Sequence, residues 1–357
     1  MDTENIDVVT PAEPEEETKR RKGFLAWLRD LPARLRALTQ RQRLIAAIAA
    51  VGAALLIALS ILAWYLIFRQ PISELPGLNV TVPPTYSYSV SGISRPLGVA
   101  VDETNNRMYV TQSDGARTVK VFDLEGNALG QLKAPSAHAL HSPAYVAVSR
   151  STGNVFVTDR GTNQVYVYDK TGRYLRLLKP KGEKLWGPLA IAIGSDDEIY
   201  VSDAGGKVHF VWVLEADGTV IRTFGRADGL AFPNGIALRD DGSIVLSDSN
   251  NGRIFVYGAD GSMMGAIARG EADAPIGMPR GVAVGAGGRV YVVDTSNDVV
   301  RIYRSGAGKI PEYAASFGEM GSQEGQFLFP NGIASDDHGH IYVTDSENNR
   351  LQVWTNR

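Results

Sequence analysis

Two hydrophobic patterns divide the chain. Residues 44–68 form a 25-residue apolar run without a charged residue, whereas from residue 85 onward apolar and polar residues alternate in short runs separated by Gly, Asp and Asn. The first pattern predicts one long helix, which would extend about 37 Å at about 1.5 Å per residue. The second predicts many β-strands joined by tight turns. The expected architecture is therefore an all-β domain preceded by one apolar helix.

The apolar run is long enough to cross a hydrocarbon core of about 30 Å. Its flanks are asymmetric, because residues 19–43 hold nine Lys and Arg and one acid, whereas Arg69 is the only cation close behind the run. The positive-inside rule therefore places the N-terminus in the cytoplasm and the β-rich part outside. Trp64 and Tyr65 stand where a cleaved leader would carry small residues, so we expect an uncleaved signal anchor.

These patterns divide the chain into four parts. We expect a cytoplasmic tail at 1–43, a transmembrane helix at 44–68, a proline-containing stalk at 69–84 and the β-rich domain at 85–357. Apolar residues recur among the cations of the tail at steps of three and four, which predicts either a helix on an anionic leaflet or a solvated flank that only fixes topology.

The span itself carries small residues at every fourth position, which would let a second membrane helix pack closely. These residues are Ala46, Ala50, Ala54 and Ala58. An oligomer formed through the alanine-rich helix is therefore left open.

The β-rich part is a repeat. A proline followed by a short apolar run occurs at Pro96, Pro143, Pro188, Pro233, Pro279 and Pro330, with spacings of 47, 45, 45, 46 and 51 residues. Each copy continues with a turn, an alternating run, a third run and a fourth run that follows a glycine. Units of about 40–50 residues with four strands indicate propeller blades, whose faces are buried only against neighbouring blades. Six copies predict six blades.

The two ends of the β-rich part complement each other. The last copy reaches the end of the chain after three strands, and residues 85–93 are left over before the first copy. We predict that this leading run is the fourth strand of the last blade, because the pairing would close the ring and cover an exposed strand edge. The expected fold class is an all-β six-bladed β-propeller, closed by its N-terminal strand and preceded by one transmembrane α-helix.

Two segments carry a family motif. Residues 329–334 (FPNGIA) with 341–353 (IYVTDSENNRLQV), and the related residues 248–254 (DSNNGRI), resemble the NHL repeat. The resemblance covers 85–357 and implies a propeller of the NHL type. NHL-like propellers include binding platforms, sensor domains of membrane kinases and a minority of enzymes, so the resemblance does not decide an activity.

The residue after each repeat proline should begin the innermost strand, beside the central channel. Blades one to three carry Leu97, Ala144 and Leu189 there, and blades four to six carry Asn234, Arg280 and Asn331. A guanidinium flanked by two amides offers donors suited to a carboxylate or a phosphate. We therefore predict a ligand site at the three polar positions, and the alternative is a set of side chains solvated by channel water.

The loops between strands should converge on the same face. The predicted partner-binding face adds Asp159, Arg160, Asn250, Asn251, Asn297 and Asp298 to the axial residues, with the connections 132–142 and 268–278 on its rim. An aspartate ends the second strand in five copies, which a turn carboxylate accepting backbone N–H groups would explain. These residues are Asp159, Asp203, Asp248, Asp294 and Asp345.

The composition excludes several kinds of functional site and partner. The chain has no cysteine, which excludes disulfides and thiolate metal sites, and its five histidines are not expected to converge. With 36 Lys and Arg against 39 Asp and Glu it lacks the basic excess of a nucleic-acid-binding protein. We predict no metal, no cofactor and no nucleic-acid partner, and the cysteine-free outer domain suggests a bacterial envelope.

The expected function is a membrane-anchored, extracytoplasmic binding, scaffold or sensor module. Its partner would be an envelope protein, a peptide or an anionic small ligand, and the lipid bilayer would hold residues 44–68. The alternative is a metal-dependent propeller enzyme similar to calcium lactonases and esterases or to lyases. Asn234 and Asn331 resemble axial calcium ligands of such enzymes, but none of the six axial positions is acidic, and Arg280 would put a positive charge at the metal position.

Overall fold

The computed structural model describes residues 39–68, 81–183, 186–267, 275–304 and 310–356. They belong to two units, one before and one after the boundary at residue 70, and each is described by itself. The predicted basic segment before residue 39, the predicted stalk from 69 to 80 and the part of the second rim connection at 268–274 lie outside the described residues.

The N-terminal unit contains helix α1, Gln40–Phe68. Its start is capped reciprocally, because the hydroxyl oxygen of Thr39 accepts the N–H of Gln42 at 3.4 Å and the amide oxygen of Gln42 accepts the N–H of Thr39 at 3.0 Å. The helix therefore begins four residues before the uncharged run. By length and by a mean hydropathy of 2.7 over Gln40–Ala63, it is the one candidate membrane span in the described part of the chain. A signal sequence meets the same criteria, so anchoring and orientation stay predictions.

The second unit is a propeller of six four-stranded sheets within the described residues. In five of them the strands follow chain order from the innermost to the outermost strand. The first three blades comprise β2 (Pro96–Asp102), β3 (Arg107–Gln112), β4 (Val119–Phe122), β5 (Ala128–Gln131), β6 (Pro143–Val148), β7 (Val155–Asp159), β8 (Gln164–Tyr168), β9 (Tyr174–Leu178), β10 (Pro188–Ile193), β11 (Ile199–Asp203), β12 (Phe210–Leu214) and β13 (Val220–Phe224). All-β architecture and six blades, as predicted from the repeat, are confirmed.

The last three blades follow the same order until the chain ends. They comprise β14 (Pro233–Leu238), β15 (Ile244–Asp248), β16 (Arg253–Tyr257), β17 (Met263–Ile267), β18 (Pro279–Val284), β19 (Val290–Asp294), β20 (Val299–Arg304), β21 (Glu312–Phe317), β22 (Pro330–Ser335), β23 (His340–Asp345) and β24 (Arg350–Thr355). The innermost strands of neighbouring blades pack against one another, and they form a ring around the central channel.

Strand β1 (Thr85–Val90) closes the ring. It pairs antiparallel with β24, so that Tyr86 lies opposite Trp354 and Val90 opposite Leu351, and it is the outermost strand of blade six. The ring of Tyr86 meets that of Trp354 edge-on at 6.0 Å. The predicted closure is confirmed, and the strand covers only the first six residues of the predicted run.

The core lies between the blades. Each of the six apolar clusters in the described residues joins two neighbouring blades, and the cluster between blades six and one includes Val90 and Ile93 from the leading segment. A single blade would expose both faces, so each blade depends on its two neighbours for burial.

Hydroxyl groups tie the innermost strands together. Thr158 donates to the carbonyl oxygen of Leu189 in the next blade at 2.7 Å, and Thr344 donates to that of Leu97 at 2.8 Å, which links blade six to blade one. Both threonines directly precede the repeat aspartate. The innermost strands approach so closely that a Cβ on Gly332 would collide with the carbonyl oxygen of Leu97.

Candidate functional site

The repeat aspartates lie beneath one face of the propeller, and they hold its loops. Asp159 is fully buried, and its carboxylate accepts the N–H groups of His141 at 2.7 Å, Ser142 at 3.0 Å and Thr162 at 2.9 Å. The other four also accept N–H groups from the connection before the innermost strand of their own blade. In blade one the amide oxygen of Gln112 does the same for Ser94 at 3.2 Å. Asp159, assigned from sequence to the partner-binding face, therefore presents no side chain to a partner.

Two of the predicted face asparagines also repeat from blade to blade. The side-chain amide of Asn251 donates to Asp248 at 2.6 Å, and that of Asn297 donates to Asp294 at 2.8 Å. Asn348 makes the same bond in blade six. A residue that serves the same turn in three blades is explained by blade structure, and its donor is already engaged.

The remaining predicted face residues lie nearer the surface. Asn250 and Arg160 are exposed, and Arg160 places its guanidinium carbon 5.1 Å from the centre of the Phe232 ring. Asp298 accepts the backbone N–H of Phe329 at 2.7 Å, so its carboxylate positions an aromatic residue of the next blade.

Two of the three axial residues predicted from sequence, Asn234 and Asn331, meet around one side chain that was not predicted. The hydroxyl group of Tyr145, in blade two, lies 2.8 Å from Oδ1 of Asn234 in blade four and 3.0 Å from Oδ1 of Asn331 in blade six. Alternate blades of a six-bladed ring meet only on its axis, so the phenol oxygen lies at the centre of the channel. Both amide oxygens face the phenol, and both Nδ2 donor groups are turned away from it.

Arg280 completes what we call the axial cluster: Tyr145, Asn234, Arg280 and Asn331. The Arg280 side chain is partly buried, its Nε is buried without a hydrogen-bond partner, and its Nη2 lies 3.6 Å from the sulfur of Met278. Among the described residues no carboxylate lies within 4.0 Å of its guanidinium. Its guanidinium carbon is 5.1 Å from the centre of the Phe329 ring.

Burial and a second cation set the electrostatics of the axial cluster. Burial lowers the pKa of Arg280, and the positive charge of Arg160 acts in the same direction. An arginine remains protonated at neutral pH, so Arg280 keeps a partly desolvated positive charge. Burial also raises the pKa of Tyr145, which keeps the phenol neutral. The cluster therefore offers one cation and two amide groups, and its neutral phenol has one hydrogen, which it donates to one of the two amide oxygens at a time.

Two aromatic residues flank the cluster in an unusual backbone conformation. Phe232 has a φ of 73° and Phe329 a φ of 57°, which bulky residues rarely adopt. Each directly precedes a repeat proline, and its N–H is held by a side chain of the preceding blade: that of Phe232 by the imidazole of His209 at 2.9 Å, and that of Phe329 by Asp298. Arg95, before Pro96, has a φ of 44° and donates its N–H to Asn349 of the preceding blade in the same way, so this conformation belongs to the repeat.

Tyr145 is an exceptional residue type at its position in the repeat, and the sequence shows this. The second residue after the repeat proline is glycine or alanine in five blades, because neighbouring innermost strands lie too close for a larger side chain; a Cβ on Gly235 would collide with the carbonyl oxygen of Arg280. Tyr145 is the exception. Comparing this position across blades would have identified the phenol from sequence.

The opposite face holds a second polar group. Ligand atoms of Glu103, Asp336 and His338 lie within 4.8 Å of one another, across the junction of blades one and six. Carboxylates and imidazole are ligands for divalent metals. Both oxygens of Asp336 already accept hydrogen bonds, one from the backbone N–H groups of His338 and His340 and the other from the His340 ring and Tyr342. The Asp336 carboxylate therefore serves the turn, and both of its oxygens are engaged within the protein.

Comparison with known proteins supports the repeat and the fold. Residues 230–257 and 327–354 match the NHL repeat family, so the chain contains NHL repeats. It is 29% identical over 188 residues to the E3 ubiquitin-protein ligase NHLRC1 of Rattus norvegicus, a match that covers 48% of this chain and 46% of that protein. It is 29% identical over 136 residues to Protein brain tumor of Drosophila melanogaster, covering 37% and 12%. The match thus spans less than half the length of these relatives.

Solved propellers share the fold at low identity. A putative gluconolactonase superposes with a TM-score of 0.59 at 16% identity, covering 78% of this chain and 94% of that chain. A streptogramin B lyase superposes with a TM-score of 0.55 at 18% identity, covering 77% and 88%. These likenesses establish a six-bladed propeller and leave the activity to the residues of the site.

Proposed function

We propose that this protein is a binding module whose NHL propeller captures an anionic group of its partner at the axial cluster. The observation that carries the proposal is the chemistry of that cluster: Arg280 has no acidic partner among the described residues, and Asn234 and Asn331 turn donor groups away from Tyr145. An anion bound there would restore the interactions that Arg280 loses on leaving water.

The enzyme alternative is not favoured by these residues. A catalytic calcium needs six to eight oxygen ligands including carboxylates, whereas the axial positions supply two amides and a guanidinium. A divalent cation placed beside Arg280 would experience direct repulsion. The similarity to a lactonase and a lyase is a similarity of fold at below 20% identity.

The setting that we propose for this module is the outer side of a cell membrane. The apolar helix α1 would anchor the chain, the basic segment before it would stay in the cytoplasm, and the propeller would face an envelope protein, a peptide or an anionic ligand. The composition of the outer domain supports a bacterial envelope, where a cysteine-free chain forms no disulfides.

The binding proposal is tested by anion-dependent stability. The full chain, purified in detergent micelles, is melted in acetate, inorganic phosphate and chloride at equal ionic strength, and Arg280→Gln is compared with Arg150→Gln on the opposite face. We expect acetate or phosphate to raise the melting temperature of the native protein and of Arg150→Gln but not of Arg280→Gln, because only the native state binds the anion. Equal effects on all three proteins would refute an anion site at Arg280.

The setting is tested with single cysteines, since the native chain has none. Thr3→Cys and Lys207→Cys variants are exposed in intact cells to a thiol reagent that does not cross membranes. Labelling at position 207 and protection at position 3 until the cells are lysed are expected for the proposed orientation. The reverse pattern, or protection at both positions in intact cells, would contradict it.

A further inference from the structure

We infer that the anionic group recognised by the axial cluster is the free carboxyl terminus of a polypeptide whose last residue is apolar. The inference rests on the proposed function and specifies its ligand. It is carried by three features of the described residues: a channel closed on its axis, a donor set matched to one carboxylate, and an aromatic wall beside the guanidinium.

The channel ends at the phenol. Tyr145 extends from blade two to hydrogen-bond residues of blades four and six, so its ring and hydroxyl group occupy the axis at the depth of the amides. A continuous peptide cannot pass such a closure. A chain end can enter the remaining depression, and so can the tip of a side chain.

The donors at this depth fit a monoanion. One guanidinium supplies a planar fork that matches the two oxygens of a carboxylate, and the two Nδ2 groups supply further neutral donors. Protein sites for a dianionic phosphate commonly gather several arginines. Arg160, the second cation, is exposed at the mouth over Phe232, where it attracts an approaching anion without adding a second charge at the base.

An apolar surface adjoins the cation. The Phe329 ring lies 5.1 Å from the guanidinium carbon of Arg280, and this residue is 39% exposed. Leu328 is 38% exposed and Met320 71% exposed in the same connection between blades five and six. In a C-terminal residue the side chain and the carboxylate branch from one carbon, so a ligand that places its carboxylate on Arg280 must place its last side chain within a few ångströms of it. The Phe329 ring is the surface available there.

The inference is tested with matched peptides on the full chain in detergent micelles. The probe is a fluorescent hexapeptide that ends in phenylalanine, compared as the free acid and as the C-terminal amide. A third peptide ends in serine with a free acid, and a fourth carries phosphoserine within an amidated sequence. Affinities are measured by fluorescence anisotropy for the native protein, Arg280→Gln, Arg280→Lys, Phe329→Ser and the control Arg150→Gln.

The free acid is expected to bind about tenfold more tightly than the amide to the native protein and to Arg150→Gln, the difference made by a hydrogen-bonded charge pair. That preference should vanish in Arg280→Gln and shrink in Arg280→Lys, which keeps the charge but loses the fork. The preference for phenylalanine over serine at the end should be lost in Phe329→Ser.

The possible failures are distinguishable. Equal binding of acid and amide, together with stabilisation by anions through Arg280, would overturn the carboxyl-terminus inference and leave the binding module standing. Tighter binding of the phosphoserine peptide than of the free acid would also overturn it, in favour of a phosphate ligand. Loss of both the acid preference and the Arg280-dependent anion effect would refute the proposed function itself.

Discussion

The hydroxyl group of Tyr145 lies 2.8 Å from Oδ1 of Asn234, although 89 residues separate the two along the chain. A phenol has one hydrogen, so it donates to one of the two amide oxygens at a time and holds that amide with its Nδ2 group turned away. The phenol thereby favours an amide orientation that offers Nδ2, a donor, to a ligand beside Arg280.

Tyr145→Phe should weaken anion binding and folding by similar free energies. Without the hydroxyl group the amides of Asn234 and Asn331 can rotate and present oxygen to the anion, so we expect a loss of about three- to tenfold in affinity for acetate, from about one hydrogen bond. The free energy of unfolding should fall by about 1 kcal/mol. Calorimetric titration with acetate and denaturant unfolding provide the two numbers. Unchanged acetate affinity would show that the phenol does not orient the amides.

Asp345→Ala should be strongly destabilising. The fully buried carboxylate accepts the N–H of Leu328 at 2.7 Å and side-chain donors of Arg350 at 2.8 Å and Gln352 at 2.9 Å. Removing it leaves a mostly buried cation and buried donors without an acceptor, which costs about 3–5 kcal/mol. Denaturant unfolding should show this loss, whereas the control Asp337→Ala, at a carboxylate that is 70% exposed, should cost at most about 0.5 kcal/mol. Equal losses in the two variants would contradict the role assigned to the repeat aspartates.

Ile93→Ala should destabilise the whole ring. Ile93 is 2% exposed and packs with Val99 and Met108 of blade one and with Leu351 of blade six, so it joins the leading segment to both sides of the closure. Truncating a buried isoleucine to alanine costs about 2–5 kcal/mol. The control Ile221→Ala, 40% exposed on an outer strand, should stay within about 0.5 kcal/mol of the native protein. A small loss for Ile93→Ala in denaturant unfolding would show that the closure contributes little.

The pair His340 and Asp336 should make stability depend on pH. The hydrogen bond to Asp336 raises the pKa of His340 above 6.5, against an opposing effect of burial and with support from the charges of Asp336 and Glu103. Burial disfavours ionised Asp336, but hydrogen bonds from His340 and Tyr342 outweigh it and bring its pKa below 3.8.

The two pKa shifts stabilise the folded state over different ranges of pH. A raised histidine pKa stabilises the folded state below about pH 6.5, and that contribution disappears as the pH rises through the higher folded value. The lowered aspartate pKa contributes above about pH 3.8 and is lost on further acidification. The difference in unfolding free energy between native protein and His340→Gln should therefore be largest between about pH 4 and 6.5 and should decline at higher pH. The control His141→Gln removes an exposed imidazole, and a parallel pH dependence of both variants would argue against the pair.

The blade architecture was accessible from the sequence because every blade must satisfy the same local demands. Each needs an apolar innermost strand after a proline, a hydroxyl residue such as Thr158 to reach the next blade, and a side-chain oxygen, from Asp159 or in blade one from Gln112, to hold the loop before it. Because these requirements recur in every blade, the corresponding residues recur at regular spacing in the sequence. Residues 85–93 were recognisable as the missing strand, since they complete the count of strands.

Comparison of the repeats predicted only some of the residues of the candidate site. Asn234, Arg280 and Asn331 stood out because they break the apolar pattern at one repeat position, and the structure brings Asn234 and Asn331 to the axis. Asn251 and Asn297 were assigned to the partner face as exposed loop residues, whereas their amides are engaged with the repeat aspartates beneath them. The distinction depends on where an amide donates, which no spacing records.

The amino-acid sequence alone determined six blades, their closure and one long apolar helix, because burial of alternating side chains and the length of an apolar run are local properties. Only the tertiary structure decided that one phenol meets two amides 89 and 186 residues away at the centre of the ring. Contacts across the axis join alternate blades that share no strand pairing, so nothing in the local pattern of either partner specifies them. The anion-binding character of the axial cluster arises from that convergence.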